Sequence, residues 1–221
     1  MKIHQYSIGH LDIWMYFFFD IWELVYTKKK MDTIELQHIL DHSCVLKPLG
    51  AKVLPKNLLP YRRPAEEKAY IVNTQDDDEP GEHWVAIFFP NNKEAVYFDS
   101  YGLPPLQEDI QPFLARHCQR WTTNRMTIQA YDSMMCGVYC IYVLHYLALG
   151  YSLDLLLHMR FEPQSLSNND KIVGQWFKQL YGTVYQEATL LPKDVCTQCC
   201  QPHCGNIQHA LNLFRLFVIM R

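Results

Sequence analysis

Residues 136–149, CGVYCIYVLHYLAL, constrain the fold more than any other stretch, because they have helical length and are apolar on nearly every side. A helix without a polar face belongs inside a core rather than on top of one. Asp132 or Ser133, just ahead of it, is expected to cap its N-terminus. With 221 residues, 49% of them hydrophobic and 19% charged, the chain has the makings of a sizeable core around that helix and lies far from disordered, collagen-like or coiled-coil compositions.

The elements predicted around it are short. Residues 69–73 (AYIVN), 83–89 (HWVAIFF) and 95–98 (AVYF) are rich in β-formers, and Pro90-Asn91-Asn92-Lys93 between the last two reads as a hairpin turn. The acidic segment TQDDDEPGE before His83 is a solvated loop. Residues 122–129 read as a further strand. Helical spacing appears at 31–42, at 106–117 through Ile110, Phe113 and Leu114, and more weakly at 152–159, 170–181 and 207–220. Pro48, Pro55, Pro60 and Pro64 impose extended loop between the first helix and the first strand. Strands and helices without a strict alternation or repeat predict one α+β domain with an extension at each end.

Twenty Lys+Arg against 23 Asp+Glu give a net charge of -3, too balanced for binding of nucleic acid or membrane surfaces by global electrostatics. Eight cysteines in a chain of this length, four of them crowded at Cys196, Cys199, Cys200 and Cys204, do not form the framework of a small secreted domain. Reduced thiols in a cytoplasmic or nuclear compartment are the expectation. Residues 11–26, LDIWMYFFFDIWELVY, are too short for a membrane span and are broken by Asp12, Asp20 and Glu23, so an amphipathic or partner-packing helix is favoured and no membrane span is expected. Met31 opens a segment that reads as a domain start by itself, which leaves the status of residues 1–30 open.

Cys136 stands where a turn meets the buried helix, and there the unpaired N–H groups and positive dipole end favour a thiolate. A nucleophilic thiolate needs a base, and His83 at the start of a strand, at a sheet's edge, is the candidate. Asp99, ending the paired strand, is placed to orient that imidazole. The Gln129 amide and the Cys136 N–H would supply donors for an oxyanion. Each residue alone has a bland reading: a buried free cysteine, a turn His or Asp, a structural Gln. Only their order and context together point to chemistry.

That ordered set, Ala69–Asn73 with His83-Trp84, then Tyr97-Phe98-Asp99-Ser100-Tyr101-Gly102, then Gln129 through Cys136-Gly137-Val138-Tyr139-Cys140, resembles the adenovirus-type (adenain-like) cysteine proteases. These are relatives of the proteases that process SUMO and other ubiquitin-like proteins, and similar enzymes are carried by Maverick/Polinton transposons and some large DNA viruses. The likeness covers roughly residues 31–150. It implies a papain-like α+β fold, a central mixed sheet with the buried helix carrying the nucleophile, and a protease domain over 31–185 followed by a Cys-rich extension over 186–221. His83 would be general base, Asp99 its orienting carboxylate, Cys136 the nucleophile and Gln129 the oxyanion donor. Gln129 precedes Cys136 by seven positions, as in the adenovirus type, and Met135 stands where the ubiquitin-like-protein proteases have Asp.

The resemblance further implies a thiol endopeptidase that needs no metal or organic cofactor, acts on protein or peptide substrates after Gly-Gly or Gly-x-Gly, and matures proteins of a virus-like or transposon particle. Trp84 falls at the family's substrate-cleft tryptophan, a position compatible with a plain core aromatic. Cys118 falls where the adenovirus enzyme takes up an activating peptide through a disulfide, although an ordinary helix-end cysteine is the simpler reading. The adenovirus enzyme is also stimulated by DNA, which the charge of -3 argues against here. Cys196, Cys199, His203 and Cys204 have the residue types of a zinc site, but nine residues leave little room for a tetrahedron, and a metal-free tail is favoured. Two rival functions remain at this point: removal of a ubiquitin-like modifier, and a catalytically silent binding module of the same fold.

Overall fold

A computed structural model describes residues 29–190, with side chains to 187. The aromatic segment 11–26, the Cys196, Cys199, His203 and Cys204 cluster and the helix expected at 207–220 lie outside the described residues. Five strands form one mixed sheet in the order β1-β2-β3-β4-β5. They are β1 (Lys52–Pro55), β2 (Ala69–Asn73), β3 (Trp84–Phe88), β4 (Glu94–Phe98) and β5 (Arg120–Thr123), with β2, β3 and β4 antiparallel and the two outer pairs parallel. The helices are α1 (Thr33–His42), α2 (Ile110–His117), α3 (Cys136–Ala148), α4 (Leu153–Arg160) and α5 (Leu166–Leu190).

Both faces of the sheet are covered, so its central strands read as continuous apolar runs rather than alternating ones. Ala69, Ile71, Trp84, Ala86 and Phe98 face a core shared with α1, α3, α4 and α5, whereas Tyr70, Val72, Val85, Ile87 and Tyr97 face a smaller core closed by Ile110, Phe113 and Leu114 of α2. Helix α3 is the hub of the larger core, with its residues from Cys136 to Leu147 all buried. Helix α5 covers it with Val173, Phe177, Tyr181, Val184 and Tyr185, a stripe at helical spacing. Inside this layer the His145 imidazole bonds Tyr181 Oη at 2.6 Å, and burial lowers its pKa to about 4, so it packs as a neutral ring.

Several expected boundaries move for local reasons. The helix expected over 106–117 begins at Ile110, which sets Pro112 in the first turn, where a missing N–H breaks no bond. Strand β1 was expected as loop because of its prolines; it is an outer strand with Pro55 at its last position. The strand expected over 122–129 is replaced by β5, which stops at Thr123 because the Asn124 side chain takes over the pairing: its Oδ1 accepts from Asp99 N and its Nδ2 donates to Asp99 O. Helix α5 runs well past both ends of the expected 170–181. Neither Asp132 nor Ser133 caps α3, whose N-cap is Met135 with no side-chain hydrogen bond.

Helix α1, by contrast, carries a reciprocal cap at its N-terminus. Asp32 Oδ1 accepts from Glu35 N at 2.8 Å, and Glu35 Oε2 accepts from Asp32 N at 3.1 Å. Replacing Asp32 by Ala is expected to lower the unfolding free energy by ~1 kcal/mol in a denaturant titration, with Asp32→Asn retaining most of it. An Asp32→Ala curve superimposed on wild type would show that the cap contributes nothing.

Candidate active site

The antiparallel register of β3 and β4 builds the site. Ala86 lies opposite Phe98, and carrying that register beyond the ladder sets His83 opposite Tyr101, with Asp99 beside them. His83 sits at the N-terminal end of the central strand of the sheet, not at an edge. Its Nε2 bonds Asp99 Oδ1 at 3.0 Å, which leaves Nδ1 for the other side of the ring. Cys136, the first residue of α3, is near enough to His83 to favour its charged form.

Asp99 is 1% exposed, and a carboxylate so buried needs partners. Besides His83, its Oδ1 accepts from Tyr101 N at 2.7 Å, and Gly102 N closes the turn onto Asp99 O at 2.8 Å. Gly102 takes φ +73, and a Cβ there would lie 2.9 Å from the backbone of Met126, so the turn requires glycine twice over. The turn is stitched to the following segment: Asn124 holds Asp99 from both sides, and Ile128 N donates to Ser100 O at 2.9 Å.

Gln129 is fully buried between these pieces. Ser100 Oγ donates to its Oε1 at 2.7 Å, which fixes the amide so that Nε2 faces Ser133 O at 2.9 Å and Tyr101 Oη at 3.2 Å. Asn169 and Asp170 at the start of α5 brace the same segment through Ile128 O and Ala130 N. The loop then runs into α3, whose first turn no side chain caps, so its N–H groups remain at the service of an anion beside Cys136.

Electrostatics follow from this geometry. Burial works against charge on His83, but the hydrogen bonds with Asp99 and Cys136 outweigh it and push its pKa up to about 9. A charged imidazolium is therefore the state the site favours for His83. Such a cluster can attack an electrophilic carbon through sulfur, deliver a proton through the imidazole and hold an oxyanion on N–H donors.

The other expected residues lie in the two cores. Trp84 is 3% exposed, packs in the larger core next to His83 and donates Nε1–H to Met31 O at 2.9 Å. Cys118 ends α2 against the smaller core, its thiol donating to Leu114 O and held up in pKa by burial. Cys140, one turn beyond Cys136, is buried and its thiol is held well above its ordinary pKa by burial. Tyr101, in the turn after Asp99, also belongs to the site. Its ring stacks on His83 with centroids 5.0 Å apart, and on its other flank lies the exposed Tyr131. Among the described residues no cluster of His, Cys, Asp or Glu has the make-up of a metal site, and no helix is long and apolar enough to cross a membrane.

No protein-family model matches the chain. Over 88 residues, 34% of this chain, it is 31% identical to a protease of Bovine adenovirus 2. The match spans 43% of that protease, so the chain covers less than half of its curated relative. The similarity supports a relationship to proteases.

The His83 charge has a measurable signature. By NMR, the His83 ring is expected to titrate near pH 9, and Asp99→Asn, which leaves burial to dominate, is expected to bring the midpoint toward or below the ordinary value of ~6.5. A raised folded-state pKa stabilises fully below the unfolded value, and that contribution is lost as pH rises through the folded value. The wild-type denaturation midpoint should therefore decline between pH ~6.5 and about 9, with a flatter profile in Asp99→Asn. A wild-type His83 titrating at or below 6.5 would contradict the ion pair.

Proposed function

We propose that this chain is a cysteine endopeptidase of the adenovirus type. The carrying observation is the His83 imidazole bonded to Asp99 at 3.0 Å and held in its charged form by Asp99 and by Cys136, the first residue of a buried helix that no side chain caps. Cys136 Sγ attacks the scissile carbonyl. The electron pair displaced onto oxygen is held by the Cys136 N–H and the Gln129 amide, and collapse expels the amine, which takes its proton from His83. Water, deprotonated by His83, then hydrolyses the thioester. No metal or organic cofactor takes part in these steps.

Access to the nucleophile favours slender substrates. Cys136 is only 4% exposed, and the ring of Tyr101 lies over His83 beside it. A chain with Gly-Gly or Gly-x-Gly before the scissile bond passes such an opening with least side-chain obstruction. The natural substrates we assign are proteins of a virus-like or transposon particle, in keeping with the similarity to a viral protease.

The test is cleavage of a fluorogenic Gly-Gly peptide, run alone and with an activating peptide or DNA added. Cys136→Ser is expected to abolish turnover while leaving the fold intact, and Gln129→Ala to lower kcat by ~10²–10³-fold, as for loss of one oxyanion donor. Undiminished turnover in Cys136→Ser would eliminate the cysteine mechanism, and an unchanged rate in Gln129→Ala would remove that residue from the oxyanion site.

A further inference from the structure

Both N–H bonds of the Gln129 amide are already engaged, one on Ser133 O at 2.9 Å and one on Tyr101 Oη at 3.2 Å. An oxyanion can recruit this amide only by sharing the longer of the two, so it must form next to the Tyr101 hydroxyl. That hydroxyl accepts from Gln129, which leaves its own proton to donate. A hydroxyl that accepts one hydrogen bond is polarised into a stronger donor for the next.

Three further contacts hold Tyr101 at this spot. Its backbone N–H is fixed on Asp99 Oδ1, its carbonyl accepts from Thr127 Oγ1 at 2.8 Å, and its ring lies on the His83 imidazole. One residue therefore touches the orienting carboxylate, the base and the oxyanion donor. Burial raises the pKa of its phenol, and negative charge on Cys136 raises it further, so it keeps its proton where the thiolate exists.

We propose that the Tyr101 hydroxyl is a third oxyanion donor, acting with the Gln129 amide and the Cys136 N–H; the assignment rests on the proteolytic reading above. As the Sγ–C bond forms, the carbonyl π pair moves onto oxygen, and that oxygen accepts hydrogen bonds from Tyr101 Oη–H and Gln129 Nε2–H. The phenol donates without transferring its proton. When the C–N bond breaks, the pair returns to the carbonyl, the leaving nitrogen takes its proton from His83, and Tyr101 is unchanged. A tyrosine in this place also couples oxyanion binding to the base, since the same ring fixes the plane of His83.

Tyr101→Phe removes the oxygen and keeps the ring. Two rates separate the roles: kcat and KM for a Gly-Gly aminomethylcoumarin peptide, which forms an oxyanion, and alkylation of Cys136 by iodoacetamide, which forms none. The expected result is a kcat ~10²-fold lower with KM and alkylation rate close to wild type, and Tyr101→Leu in addition slowing alkylation because the stack on His83 is lost. An unchanged kcat in Tyr101→Phe would overturn the donor role and leave the cysteine protease standing. An equal loss of alkylation and kcat in Tyr101→Phe would overturn it too, reducing Tyr101 to a residue that positions His83. Absence of hydrolysis by the wild-type chain would overturn the proteolytic reading, and the Tyr101 role with it.

Discussion

The buried carboxylate of Asp99 governs the arrangement of everything near the proposed nucleophile. A charge with 1% exposure persists only where hydrogen bonds replace water, and here they come from the His83 ring and the Tyr101 backbone. Its own backbone is held on both sides by Asn124. The Asn124 clamp ends β5, the glycine turn at Gly102 follows from the same geometry, and the segment carrying Gln129 is threaded past Ser100 as a result. One desolvated group thus fixes His83, the turn and the segment carrying Gln129 together.

The sheet supplies rigidity to this cluster. His83 and Asp99 are presented by the adjoining ends of two antiparallel strands at the middle of the sheet, where both faces are packed and little freedom remains. Cys136 arrives from a separate element, α3, anchored along its length by the larger core and by α5. Helix α5 does more than cover the core: Asn169 and Asp170 hold the carbonyl of Ile128 and the amide of Ala130 on either side of Gln129. A change in the packing of α5 would therefore be felt at Gln129.

The residues that meet at the site were legible in the sequence because strand ends and a helix start carry strong local signals: His83 before an apolar run, Asp99 after one, and Cys136 opening the most apolar helix. The hairpin joining β3 and β4 was legible for the same reason. What escaped the sequence was set by tertiary contacts. The short β5 depends on a side chain, Asn124, doing the work of a backbone ladder, and β1 depends on a parallel partner that overrides its prolines. The reach of α5 depends on Val184 and Tyr185 packing beyond Gly182, against local propensity. The contact of Tyr101 with His83 was invisible because a tyrosine in a turn carries no signal until its ring is found on the histidine.

The most direct test of the Cys136–His83 pair is mass-spectrometric mapping of cysteines alkylated by limiting iodoacetamide at pH 6, wild type against His83→Ala. At that pH ordinary thiols are almost wholly protonated, so reaction selects a thiolate held by a charged partner. The account predicts that Cys136 is alkylated ahead of the other seven cysteines in wild type and loses that preference in His83→Ala. Labelling spread over other cysteines with Cys136 untouched, or equal labelling of Cys136 in both proteins, would contradict it.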